Sequence, residues 1–299
     1  MVIIGLSESN IFIQWGILEL TRVRFIPLII RSGTGYKTQA GIKYFLSQAP
    51  ASILILLRVI LFTPPIFYEI LNPALIFKLA MPPFHGWLFS LIDSIGINEL
   101  SLLLTVQKFI PLLIIEIRIK NILILLSIIN TIYLLIVFNI SVRSIKPILI
   151  ISSISRAFWP IRVLQAGGVW FEFMIFYSFL FLLLCNFLRW EKIFTYNNLI
   201  NKNMITRFVL SAQLFNLGGV PPLTGFFLKI LIIKSVIRSN TGWAVMLLLI
   251  SFFMLYFYLQ LITPLILATP IKYIKIKITK PQIITLFIIL SPILMLIIY

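Results

Sequence analysis

The sequence predicts an all-α membrane protein, a polytopic helical bundle of about ten transmembrane helices, two of them discontinuous. Three observations carry this expectation. Of the 299 residues, 61% are hydrophobic and 11% are charged, whereas soluble domains carry about 25% charged residues. Apolar runs close to the roughly 20 residues of a helical span recur from end to end and leave no room for a separate soluble domain, so residues 1–299 read as a single integral membrane domain. The runs also lack the alternation of a transmembrane barrel, which leaves helices as the way to satisfy the backbone inside a bilayer.

Turn and charge signals divide the runs into spans near 9–31, 38–62, 65–95, 98–117, 121–139, 142–163, 168–188, 204–238, 242–269 and 281–298. Basic residues mark the boundaries in order. Arg31 and Lys37 follow the first span, Arg118 and Lys120 the fourth, Arg143 and Lys146 the fifth, and Arg162 the sixth. Arg189, Lys192, Lys202 and Arg207 follow the seventh, Lys234 and Arg238 the eighth, and Lys272, Lys275, Lys277 and Lys280 the ninth. With ten spans, the face opposite the termini collects twelve of these and the terminal face five. The positive-inside rule then places both termini outside, in a bacterial periplasm or a mitochondrial intermembrane space.

The same distribution speaks against a nucleic-acid partner. The net charge is +17, but the basic residues lie singly at the ends of apolar runs rather than in a patch. Cys185 is the only cysteine and His85 the only histidine, so the chain alone offers no disulfide, metal site, iron–sulfur cluster or bis-histidine haem site. No cofactor is expected on it, and any redox group belongs to a partner. The first residues show no basic segment or cleavage site, so no signal or transit peptide is expected.

Two spans are not simple rods. The one at 65–95 is interrupted by Pro82-Pro83, and the one at 204–238 by Gly218-Gly219-Val220-Pro221-Pro222. Proline removes a backbone donor and clashes with the preceding turn. A helix broken at membrane depth exposes carbonyl and amide groups, which is tolerated where they line a hydrated cavity or an ion site. The breaks lie roughly 140 residues apart with four intact spans between them. A broken helix recurring every five spans reverses its orientation each time, as in an inverted repeat.

Four charges fall where a bilayer disfavours them. Glu19 is midway along the first span, Lys78 four residues before the double proline, Lys108 central in the fourth span, and Lys229 central in the second half of the other broken helix. Each costs at least about 2.5–3.5 kcal/mol at the membrane centre. Lys43, Arg22, Arg24 and Arg58 are read as snorkelling to the interface. Lys78, Lys108 and Lys229 lie further from the span ends and are read as a proton relay with Glu19. A desolvated amine with a carboxylate at a variable distance binds and releases protons. Lys78 falls at the partially negative C-terminal end of its half-helix, a favourable place for a cation. Ser90, Asp93 and Glu99 suit either a proton lead or a solvated face, and His85, between Phe84 and Trp87, suits either a relay or a packed histidine.

Seven stretches together resemble one family. They are Trp15-Gly-Ile-Leu-Glu19 with Phe25-Ile-Pro27, Gly41 to Gln48, Lys78 to Trp87 with its Met-Pro-Pro-Phe-His core, Gln107 to Pro111, Ser152-Ser-Ile154, Leu217 to Gly225, and Leu255 to Leu259. In this order they resemble the NADH-ubiquinone oxidoreductase chain 2 family, an antiporter-like membrane subunit of respiratory complex I similar to subunits of multisubunit cation/proton antiporters. The resemblance implies that Glu19 and Lys78 form a coupling pair, that Lys108 is the central relay and that Lys229 is the terminal lysine. It implies a mitochondrial inner-membrane location, with other membrane-arm subunits and inner-membrane lipid including cardiolipin as partners. Flavin, iron–sulfur clusters and ubiquinone would then belong to partner subunits. A cation/proton antiporter subunit and a purely structural subunit are the rival expectations.

Several positions depart from the family pattern. Few residues precede Glu19, so an extra N-terminal helix is not expected. Arg156 stands at the family's usual histidine, which puts a proton role there in question. Ser90 takes the place of a frequent acid with Asp93 nearby, Gln260 that of an arginine, and Leu228 that of the proline before Lys229.

Overall fold

The computed structural model describes residues 10–267 except 32, 34, 62–65, 119–132, 134–144, 166–169, 194–197, 200–201, 222 and 240. The expected spans near 121–139 and 281–298 lie outside the described residues, apart from Tyr133. The described elements are helical throughout. In order they are α1 (Ile11–Ile30), α2 (Gly35–Leu61), α3 (Ile66–Leu79), α4 (Gly86–Leu91), α5 (Ile97–Leu104), a 3₁₀ turn (Val106–Lys108) and α6 (Phe109–Arg118). They continue with α7 (Ile145–Arg156), α8 (Phe158–Gln165), α9 (Trp170–Trp190), α10 (Met204–Gly218), α11 (Thr224–Ser239) and α12 (Thr241–Leu267).

Among the described residues five helical stretches are long and apolar enough to cross a membrane, including Gly35–Ile60, Trp170–Trp190 and Thr241–Thr263. Helix α1 has the length, 20 residues, but Glu19, Arg22 and Arg24 lower its apolarity. Its start is set by Asn10, whose side-chain carbonyl accepts the N–H of Phe12 at 3.0 Å. Helices α1, α2, α3 and α6 pack together, as do α9, α10, α11 and α12, and α7 with α8 joins the two groups. The lipid-side faces of α1 and α2 carry exposed Phe12, Leu20, Val23, Ile42, Leu46 and Ile60, while the core between helices is continuous. In a bilayer such an outward apolar face is ordinary.

Both expected breaks are present and are closed by the same hydrogen-bond pattern. At the first, Ala80 takes a left-handed φ of 55°, its N–H donates to the carbonyl of Phe77, and that of Met81 to Ile76. At the second, Gly219 takes φ 75°, its N–H donates to the carbonyl of Asn216, and that of Val220 to Phe215. This is a Schellman closure in each case, and its recurrence agrees with the expected repeat. Beyond the second break the Asn216 side chain ties the halves together, its carbonyl oxygen accepting Gly225 N–H and Thr224 Oγ1–H, each at 2.8 Å.

Two further interruptions go beyond the two that the double prolines predict. The span Ile97–Glu116 tightens into the 3₁₀ turn Val106–Lys108, and the span Ile145–Leu164 pauses at Ala157 between α7 and α8. Each precedes a single proline, Pro111 or Pro160, which supplies no N–H to the carbonyl four residues earlier. The one-residue pause at Ala157 puts Ser153 and Arg156 beside an irregular turn.

Candidate functional site

The breaks leave carbonyls without helical partners, and lysine and aromatic side chains take them up. Leu217 O accepts the Tyr177 hydroxyl at 2.7 Å, and Gly218 O accepts Lys229 Nζ at 2.6 Å. Lys229 is 7% exposed, and its ammonium also faces the Trp159 ring at 5.5 Å from the centroid. At the first break Phe77 O, which already accepts the Ala80 N–H, also accepts the indole N–H of Trp87 at 3.2 Å, and Lys78 lies in the last turn of α3, the favourable end of the helix dipole. Its Nζ stands 3.6 Å from Glu19 Oε1.

Lys108 joins the two halves. It is 5% exposed, and its Nζ donates to Ser153 O at 2.8 Å and contacts Ser153 Oγ at 3.3 Å. A cavity runs from Lys78 to Lys108 past Arg22, Tyr44, Gln48 and Gln107, with the Tyr44 hydroxyl donating to the Gln107 side-chain carbonyl at 2.8 Å. A second runs from Lys108 past Ser153 and Arg156 to Tyr177. Tyr177 then touches the carbonyl next to the one that holds Lys229. The structure thus brings Glu19, Lys78, Lys108 and Lys229 into one polar axis through an apolar bundle.

Three basic residues, two of them on this axis, take places that the sequence does not give them. Arg22, read as snorkelling, is turned inward and pairs with Glu19 one turn away. Arg24 and Lys43, read the same way, do lie exposed. Arg156 binds Ser152 O through Nε at 2.9 Å, and its guanidinium lies 4.2 Å from the Phe181 ring centroid and 5.5 Å from that of Tyr177. Lys146, read as a boundary charge, spans the end of the first broken helix by donating to Ile92 O at 2.9 Å and Ile95 O at 2.8 Å. His85 packs between Phe89 and Tyr133, while Ser90 and Asp93 are exposed. Among the described residues no cluster of metal-ligating side chains occurs.

Gly219 tests the fit between break and lysine. A methyl there would lie 2.8 Å from Lys229 Cδ and 3.0 Å from Nζ, on a left-handed backbone that costs a non-glycine residue about 1–2 kcal/mol. Gly219→Ala is therefore expected to push Lys229 off the Gly218 carbonyl and to lower thermal stability by about 1–2 kcal/mol. Gly86→Ala, where an added methyl meets nothing within 4 Å, is the silent control in the same thermal unfolding measurement.

Broken helices around a buried lysine axis define the class: an antiporter-like transmembrane core. Residues 66–254 match the family model described as NADH:quinone oxidoreductase/Mrp antiporter, TM. The chain is 31% identical to NADH-ubiquinone oxidoreductase chain 2 of Rhipicephalus sanguineus, over 88% of this chain and 86% of that one. It is 30% identical to that of Mus musculus, over 87% and 81%. The chain belongs to the NADH-ubiquinone oxidoreductase chain 2 family. Its fold is similar to a chain of respiratory complex I from Thermus thermophilus with bound aureothin, with a TM-score of 0.76 at 21% identity, covering 98% of this chain and 73% of that one. It is also similar to a chain of the Mrp complex from Dietzia sp. DQ12-45-1b, with a TM-score of 0.70 at 18% identity, covering 90% and 60%.

Proposed function

We propose that this chain is a proton-translocating membrane-arm subunit of respiratory complex I in the mitochondrial inner membrane. Glu19, Lys78, Lys108 and Lys229 carry protons along its axis, and electron transfer from NADH to ubiquinone on partner subunits drives them. The observation that carries the reading is the place of Lys108, which lines both cavities, one reaching Lys78 beside the first break and the other reaching Tyr177, whose hydroxyl meets Leu217 O at the second. A protonated lysine passes its proton to a neutral amine further along the axis through hydroxyl, amide or water intermediates and then accepts another. Tyr44 with Gln107, and Ser153 with Tyr177, offer such groups on either side of Lys108. The chain's own residues supply proton carriers and their spacing; flavin, iron–sulfur and quinone chemistry belongs to neighbouring subunits. Other membrane-arm subunits and inner-membrane lipid, including cardiolipin, are the partners, and the basic-residue asymmetry supports termini on the intermembrane-space side.

The similarity to the Mrp chain favours one second reading, a cation/proton antiporter subunit. Inhibition of the quinone site in vesicles holding the assembled complex separates the two. Redox-driven pumping stops with the inhibitor, whereas an antiporter continues to exchange sodium or potassium for protons when an ion gradient is imposed. Proton movement that persists under inhibition and follows the cation gradient rejects the first reading.

A further inference from the structure

Glu19 faces two cations, and only one of them can lose its proton. One carboxylate oxygen of Glu19 contacts the Arg22 guanidinium. The other, Oε1, is buried with no hydrogen bond and lies 3.6 Å from Lys78 Nζ. Arg22 is fixed from the neighbouring helix. Its Nη1 donates to Ser52 Oγ at 2.8 Å, and its guanidinium lies 4.9 Å from the Phe45 ring centroid. Ser52 is itself held, since its hydroxyl donates to Ala49 O at 2.7 Å and its carbonyl accepts the Trp15 indole N–H at 3.0 Å. The carboxylate is therefore the movable member of the trio, with an anchored, permanently charged partner on one side and a titratable one on the other.

We infer that Arg22 is a positioning residue that holds Glu19 partly off Lys78 and provides the carboxylate with a second seat. With Glu19 on Arg22, Lys78 is free to release its ammonium proton into the cavity it shares with Lys108; with Glu19 on Lys78, the proton is retained. Nothing but the proton moves between residues: the Lys78 N–H bond breaks, an N–H bond forms on a neutral Lys108 amine, and Glu19 changes seat. The arginine makes the coupling pair a three-membered switch in which an ion pair is exchanged rather than simply broken. Exchange avoids leaving a buried carboxylate unpaired, which is the expensive state.

The inference rests on the proton-relay reading, and variants in the assembled complex test it through NADH turnover and protons moved per NADH. Arg22→Gln leaves Glu19 with Lys78 as its partner, so coupled turnover is expected to fall about tenfold, while Arg22→Lys keeps a charged seat and most of the rate. Since Arg22 acts through Glu19, the Arg22→Gln/Glu19→Gln double variant is expected to match Glu19→Gln alone. Ser52→Ala loosens the anchor without altering charge, and is expected to cost about twofold in the native background and nothing beside Glu19→Gln. If Arg22→Gln does not assemble, this Ser52 cycle decides. Wild-type turnover and proton yield in Arg22→Gln, or an additive loss in either double variant, overturns the role of Arg22. Such a result alongside an impaired Lys229→Met leaves the relay standing, whereas normal pumping by Lys229→Met removes the relay itself.

Discussion

Lys229→Met, in a fully assembled complex, is expected to lower coupled NADH turnover at least about tenfold and to reduce the protons moved per NADH, because a positioned proton carrier contributes on the order of a hundredfold or more. The side chain is buried and ends on the Gly218 carbonyl at 2.6 Å. Methionine preserves most of the volume and removes the donor. The structural part of the loss is one unpaired carbonyl, about 1–3 kcal/mol, and shows as lower thermal stability. The functional part shows as lost protons at unchanged assembly. Lys229→Arg separates charge from proton exchange, since a guanidinium keeps the charge and does not release its proton. It is expected to assemble and remain poorly coupled. Wild-type proton yield in either variant, in an assembled complex, would mean that Lys229 is a structural cation.

The central charges were legible because a bilayer makes them exceptional: Glu19, Lys78, Lys108 and Lys229 interrupt apolar runs, and no surface role suits a charge at that depth. The two main breaks were legible from Pro82-Pro83 and Gly218-Gly219 for an equally local reason, the missing donor and the left-handed turn. Contacts between helices were not. Nothing in the spacing of Tyr177 announces that its hydroxyl meets Leu217 O, or in that of Lys146 that it reaches Ile92 and Ile95, because lateral register in a membrane is set by packing rather than by an apolar stripe. Arg22 carried a readable signal, three residues from Glu19 on one helix, which its resemblance to a snorkelling arginine concealed. The pauses at Val106–Lys108 and Ala157 had a weaker one, the single prolines Pro111 and Pro160, each able to free one carbonyl.

The second large effect belongs to Lys108. Lys108→Met is expected to divide the axis, because this side chain alone among the four charges borders both cavities. Its removal leaves the Glu19–Lys78 pair and the Lys229 site individually intact, since neither depends on it for a hydrogen bond. Proton yield per NADH should therefore fall as far as in Lys229→Met, and the Lys108→Met/Lys229→Met double variant should be no worse than either single one, as for two members of one series. Ser153→Ala supplies a graded version. It removes the 3.3 Å hydroxyl contact and keeps the 2.8 Å bond to the Ser153 carbonyl, so about a twofold loss is expected. Additive losses in the double variant, each measured in assembled complex by turnover and proton yield, would show two parallel routes instead of one. Arg156 bears on the proposed single route: as a guanidinium beside the second cavity it holds its proton, so a relay between Lys108 and Lys229 would pass by Ser153, Tyr177 and water rather than through it.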